Sequence, residues 1–515
     1  MTISISGKRL ADKNSPLLVT LHGAAVRLAA KDSTLWGSDA QAEAQVRLNW
    51  IDLPDSSQKL LPILDELVSW AKAHHLTHIV LAGMGGSSLA PEVISKAYAE
   101  ELTVLDTTDP DQIRKAIPAN LAHTVVVVGS KSGSTIETAS HKALFEELFM
   151  QAGLLPRDHI VIVTDPGSPL DQSSRSAGLR TINADPNVGG RYSALSAFGL
   201  VPAALMGVDV AGMLADARAA ASNFTLADSP AINLATAIFE AGEQNVAFSD
   251  KGSTTPGLSD WIEQLIAEST GKNERGRLPI AIESIDAPVA GSHYLVNLTT
   301  ASADSADAVV TGSLGEQFIL WEWVTALLGV ALEVDPFNQP NVTEAKERTN
   351  AILAKWSSGE NEKLTPSFED TNFAIYSTSS AQSLQGQLDD FLTLESHYIA
   401  IMAYLARGID DEITETRRLI ASKSGRGTTF GWGPRFLHST GQFHKGGQHN
   451  GAFIQITGEN LNDLKIPGRD FSFHTLLMAQ ALGDGEALAD RHFPLMRIHL
   501  KNRSAGIAEL LAALN

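Results

Sequence analysis

The chain has 515 residues, 43% of them apolar, and carries 39 Lys and Arg against 59 Asp and Glu, a net charge of −20. That length exceeds a single core and suits about three domains, while the acidic balance argues against nucleic acid and anionic membrane as partners, since both require basic patches. There is no cysteine, which removes disulfides, cysteine–zinc sites and thiol nucleophiles together.

The N-terminus, MTISISGKRL, has no apolar h-region, so the expected location is cytoplasmic. Residues 1–75 read as a mostly helical segment. From 76 to 225, short apolar runs (HIVLAG at 78–83, TVLDT at 103–107, TVVVVGS at 124–130, HIVIVTD at 159–165) alternate with helix-like stretches such as Thr138–Leu148. Strands alternating with helices predict βαβ units and a parallel sheet. A second alternating block, 226–360, holds NVAFSD (245–250), LPIAIES (278–284) and SHYLVNL (292–298), followed by two long helices. Its most apolar stretch, Phe318 to Val334, carries Glu322 and Glu333 and reads as a buried helix, short of a membrane span. A third block, 361–515, contains FAIYST, YIAIMAYLA, GAFIQIT and LMRIHL. Gly/Ser-rich joints are expected near 357–367 and 422–433. The fold class is therefore α/β: two flavodoxin-like, parallel-sheet domains plus a C-terminal α/β region.

Two turns stand out. SKSGSTIET (130–138) follows an apolar strand and precedes a helix. Ser130, Ser132, Ser134 and Thr135 offer four hydroxyls beside Gly133 and Lys131, and the N–H groups and dipole of a helix start favour an anion. This is a recipe for holding one phosphate monoester; a hydroxyl-rich N-cap with Glu137 in the first turn is the plainer reading. GMGGSS (83–88) occupies the equivalent place after the preceding strand. Its glycines allow close backbone approach to a ligand, with Gly86 and Ser87 as the candidate contacts.

These segments carry a family resemblance. SKSGSTIET resembles the phosphate loop of sugar isomerase domains, and GMGGSSLAP the glycine turn of glucose-6-phosphate isomerases. VGGRYSALSAFG (188–199), QLIAESTGK (264–272) and PFNQPNVTEAK (336–346) are similar to three further motifs of that family, in its order. The nearest likeness is to a divergent bacterial branch found fused behind a transaldolase, and the late segment GWGPRFLHSTGQFHKGG (431–447) resembles that branch too. The resemblance implies reversible interconversion of glucose 6-phosphate and fructose 6-phosphate through an enediol, with a hexose 6-phosphate as ligand and no cofactor. Glu268 matches the base that shuttles a proton between C1 and C2, which requires partial desolvation to raise its basicity. Gln264, four residues earlier, shares its helix face. Arg191, after Gly190, matches the cation that steadies the enediolate. Lys346 matches a lysine near the ring oxygen, and Gln339 a hydrogen bond to sugar or phosphate.

The pattern breaks at one position. The family places a ring-opening histidine where this chain has Gln317, and glutamine cannot transfer a proton. The tail segment HSTGQFHKGGQH offers His438, His444 and His449; His444 or His438 is the expected replacement, brought over the cleft from the same chain or from a dimer partner. A homodimer is left open. Their spacing fits no common zinc pattern, and an enediol mechanism needs no metal, so none is expected. Two other readings remain: a sugar-phosphate sensor that binds without converting, and a dual phosphoglucose/phosphomannose isomerase.

Overall fold

Three β-sheets organise the chain in the computed structural model, which describes residues 3–360 and 364–515. The first sheet is wholly parallel, in the order Thr103–Leu105, His78–Gly83, Thr124–Gly129, Ile160–Thr164, Arg180–Asn183. Every residue of Thr124–Gly129 is buried, as expected of a strand covered by helices on both faces. The strand after His78–Gly83 lies on one side of it and the next on the other. This makes a topological switch point, where open α/β sheets take ligands outside the strand C-termini. Gly83 and Gly129 are paired at that edge, so the 84–88 turn and the 130–135 loop leave side by side.

The second sheet runs Ser4–Ser6, Ala308–Thr311, His293–Asn297, Asn245–Ser249, Leu278–Ala281, with only the first strand antiparallel. Thus the N-terminal segment, expected to be mostly helical, also lends an edge strand to a sheet whose other strands begin only at Asn245. The buried Leu314–Leu332 helix packs in a core shared with the first sheet. Its Glu322 has no exposure and both carboxyl oxygens lack a partner among the described residues; burial pushes its pKa well above the carboxylate range.

The third sheet, Phe368–Glu369, Phe373–Tyr376, Leu495–Leu500, Gly451–Gly458, Tyr398–Tyr404, Gly427–Trp432, is parallel apart from its second strand, which is antiparallel to both neighbours. Gly427–Trp432 falls inside the stretch expected to be a joint at 422–433; the glycine content masks a strand whose partner is fully buried. Of the other expected joint, residues 361–363 lie outside the described residues. Among the described residues no helix is long and apolar enough to cross a membrane.

The third sheet is fastened to both others. One apolar cluster joins its Phe453 and Tyr398 to Ala267 and Ile280; another joins Phe473 and Leu476 to Val126 and Phe145. Buried charges reinforce the contact: Arg435 bonds Glu92 (2.5 Å) and Asp106 (2.7 Å), and Arg503 bonds Asp109 (2.7 Å) and Asp410 (3.1 Å). Removing one member of such a set leaves an uncompensated buried charge. Arg503→Ala is therefore expected to destabilise the protein by about 3 kcal/mol, read as a lower midpoint in a denaturant titration; an unchanged midpoint would show that the contact carries no weight.

Candidate active site

At the switch point of the first sheet lies a cavity of about 380 Å³. One side is the strand-to-helix loop, contributing Ser130, Lys131, Ser132 and Thr135; the glycine turn contributes Gly86 and Ser87; and Gly190, Arg191, Gln264, Glu268, Gln339, Lys346 and His438 complete the wall. The loop precedes the 16-residue helix Ile136–Gln151, whose first N–H groups have no acceptor within the helix. Lys131 is held by Asp165 at 2.7 Å.

Glu268 sits on the Leu258–Thr270 helix, 6% exposed. Its Oε2 accepts from Gln264 Nε2 at 3.1 Å, one helical turn away, and its Oε1 lies 3.5 Å from Arg191 Nη1. The arginine is aimed by the segment after the long buried helix. Its Nη2 donates to the carbonyls of Phe337 (2.5 Å) and Asn338 (3.2 Å). Asp335 Oδ1 accepts the N–H groups of those same two residues, fixing that turn. Arg191 Nη1 and Gln264 Oε1 are buried and make no hydrogen bond to a described residue. A donor and an acceptor therefore stay available on either side of the carboxylate, where a polyhydroxylated ligand can engage them.

His438 comes from the third domain. Its Nε2 pairs with Glu137 Oε1 at 3.2 Å, and its carbonyl accepts from Gln264 Nε2 at 2.8 Å. Gln480 Nε2 donates to the same Glu137 oxygen (2.7 Å), and Thr108 Oγ1 donates to Gln480 (2.7 Å). Burial on its own pushes the Glu137 carboxyl up, but the charge and hydrogen bond of His438, together with Lys346, bring it down to about 2. It is thus ionised at neutral pH and orients the His438 imidazole through that bond.

Comparison with known proteins finds similarity over part of the chain. The phosphoglucose isomerase family model matches residues 66–254. That stretch of the chain is similar to the phosphoglucose isomerase family. A probable glucose-6-phosphate isomerase of Haloarcula marismortui is 36% identical over 210 residues, covering 39% of this chain and 48% of that one. The chain spans about half the length of the curated relatives it matches. Among solved structures, a hypothetical protein of Thermus thermophilus aligns with a TM-score of 0.59 at 24% identity, over 68% of this chain and all of that one. A glucose-6-phosphate isomerase of Chlamydia trachomatis aligns at 0.56 and 18%, over 69% and 89%; these two share the fold.

Of the residues given a catalytic or binding role from the sequence, the cavity gathers all but Ser134, which faces a neighbouring cavity, and His444. His444 is the larger departure. It is 3% exposed, its Nδ1 lies 3.3 Å from Tyr398 Oη, and it packs among Tyr398, Phe436 and Phe453. Burial and the adjacent Lys445 push its pKa down to about 3. It is a core histidine of the third domain and does not line the cavity, so it cannot reach a sugar there. His449 stacks on Phe493 at 4.0 Å. Gln317 is buried and accepts from Trp321 Nε1 at 3.0 Å; a histidine there would serve the core in this chain. The sequence pattern gives Glu137 a place in a helix cap, no motif marks Gln480, and Lys272 ends the 264–272 motif without a role of its own. Lys272 is 3% exposed and bonds the Asp335 carbonyl; burial, then the Arg191 charge, push its pKa well below the ordinary lysine value.

The glycine turn is packed to its limit. A Cβ on Gly86 would stand 1.9 Å from the Gly190 carbonyl oxygen, and one on Gly85 (φ +56°) 2.8 Å from the His438 carbonyl. Gly86→Ala must push apart the two loops that carry Ser87 and Arg191, and activity on a sugar phosphate is expected to fall at least about 100-fold, a 1 Å misplacement being enough for that. Activity within a few-fold of wild type would show that the close approach is dispensable.

Proposed function

We propose that this chain interconverts glucose 6-phosphate and fructose 6-phosphate by enediol proton transfer. The observation that carries the reading is the placement of a buried carboxylate, Glu268, with Arg191 Nη1 beside it, in the same cavity as the hydroxyl-rich loop 130–135. The loop takes the phosphate. Ser130, Ser132 and Thr135 donate to its oxygens together with backbone N–H groups, and Lys131 supplies charge.

Hexose phosphates are mainly closed rings. His438, oriented by Glu137, carries a proton from the C1 hydroxyl to the ring oxygen as the C1–O5 bond breaks. Lys346, which lines the same wall, polarises that oxygen. In the open aldose, Glu268 removes the C2 proton. The electron pair moves into a C1–C2 double bond and negative charge gathers on the C1 oxygen, where the arginine stabilises it. The C2 hydroxyl proton passes to the C1 oxygen, which shifts the charge to the C2 oxygen, and Glu268 then returns its proton to C1 as the C2 oxygen becomes the ketone, so atoms and charge balance with no net oxidation. The family match over residues 66–254 and the relatives named above support this reading.

A coupled assay that follows glucose 6-phosphate from fructose 6-phosphate tests it, with mannose 6-phosphate run alongside. Turnover of fructose 6-phosphate is expected, and its absence in folded protein would overturn the proposal. Glu268→Gln, which keeps shape and loses basicity, is expected to lower kcat by about a thousandfold while phosphosugar binding persists; near-normal kcat would remove Glu268 from the mechanism. His438→Ala is expected to slow a closed-ring hexose phosphate more than an open-chain analogue, and equal slowing of both would take ring opening away from it.

A further inference from the structure

Resting on that isomerase reading, we infer that Gln442 is a positioning residue whose single amide clamps the helix bearing Glu268 to the helix bearing Lys346. Gln442 lies on the short Gly441–Gly446 helix of the third domain and is wholly buried. Its Nε2 donates to the carbonyl of Gly271 (3.0 Å), the residue that ends the Glu268 helix. The same Nε2 donates to Asn341 Oδ1 (2.8 Å), and its Oε1 accepts the Asn341 backbone N–H (3.0 Å). Asn341 lies in the first turn of Pro340–Ser357, where that N–H has no partner inside its own helix.

All three bonds come from one side chain, and they join two segments 70 residues apart in sequence (341 − 271). They are reinforced from the same short helix, since the Gly446 carbonyl accepts the Glu274 N–H at 3.0 Å. No hydrogen bond between described side chains joins Glu268 to Lys346 directly, and the two act on neighbouring atoms of one sugar in the mechanism above. Gln442 touches neither the cavity nor the phosphate loop, so its loss should act on the chemical step and leave phosphate capture intact.

The test is Gln442→Met, which keeps length and apolar bulk and removes all three bonds. With fructose 6-phosphate, kcat is expected to fall about 100-fold, with KM within about threefold of wild type. The control for stability is Gln387→Met, a buried glutamine remote from the cavity that holds Ser377 and Ala381 in the third domain; it should lower the melting temperature and leave kcat unchanged. Asn341→Ala, at a half-buried position, keeps its backbone bond and should cost about fivefold in kcat. That cost should vanish in the Gln442→Met background, so the pair also reports on the clamp through a milder variant. Hydrogen exchange supplies a readout independent of turnover. In Gln442→Met, amides 341–346 and 272–276 should lose protection while the Tyr398–Tyr404 strand keeps its own. Wild-type-like kcat and unchanged exchange would overturn the inference. Absence of turnover in the wild-type protein would instead overturn the isomerase reading, and the exchange result would then decide the clamp by itself.

Discussion

A carboxylate that abstracts a carbon-bound proton has to be shielded from bulk water and held beside a fixed cation, and the rest of this structure is arranged around those two contacts at Glu268. The countercharge is Arg191, which stands 3.5 Å away and spends its other donors on the Phe337 and Asn338 carbonyls. An arginine tied down by backbone is not free to collapse onto the carboxylate, so the carboxylate is steadied without being consumed in a tight salt bridge. The gap between the two is where charge develops in the proposed reaction.

That arrangement draws on three parts of the chain. The first sheet supplies the switch point and the two loops at its edge, the region of the second supplies the Glu268 helix, and the region of the third supplies His438, Gln442 and Gln480 and packs its Phe473–Ala489 helix on the one that carries Lys346. The third domain is more than an appendage. Its 435–446 stretch bonds Glu92 and Asp106 below the glycine turn, Gln264 beside the base and Gly271 after it. The close approach of Gly86 to the Gly190 carbonyl and of Gly85 to the His438 carbonyl sets how near these parts come, and backbone without side chains is what makes that distance attainable.

Much of this was readable in the sequence because its signals are local. Continuous apolar runs marked the central strands of all three sheets, and the hydroxyl spacing of 130–135 marked the loop that lines the cavity. Short or polar strands were not legible: Ser4–Ser6 pairs with Ala308–Thr311 from the opposite end of the second domain, and Gly427–Trp432 looks like a joint until it is seen against Tyr398–Tyr404. The three histidines of the tail could not be ranked by spacing alone. Burial separates them, with His438 beside the Glu137 carboxylate, His444 in an aromatic nest and His449 at the surface against Phe493. Gln480 and Gln442 carry no sequence signal at all, since a glutamine acquires its meaning only from the donors and acceptors that the fold sets around it.

The central claim is that one buried carboxylate carries a proton between adjacent carbons in a cavity closed by the third domain. The most direct measurement is the fate of deuterium placed at C2 of glucose 6-phosphate when the wild-type protein turns it over in ordinary water, read by NMR on the fructose 6-phosphate formed. A proton held on a carboxylate that water reaches only in part should reappear at C1 in one fraction of the product and be replaced from solvent in the remainder. Complete retention at C1 with no solvent exchange, the mark of a direct hydride shift, would contradict the account.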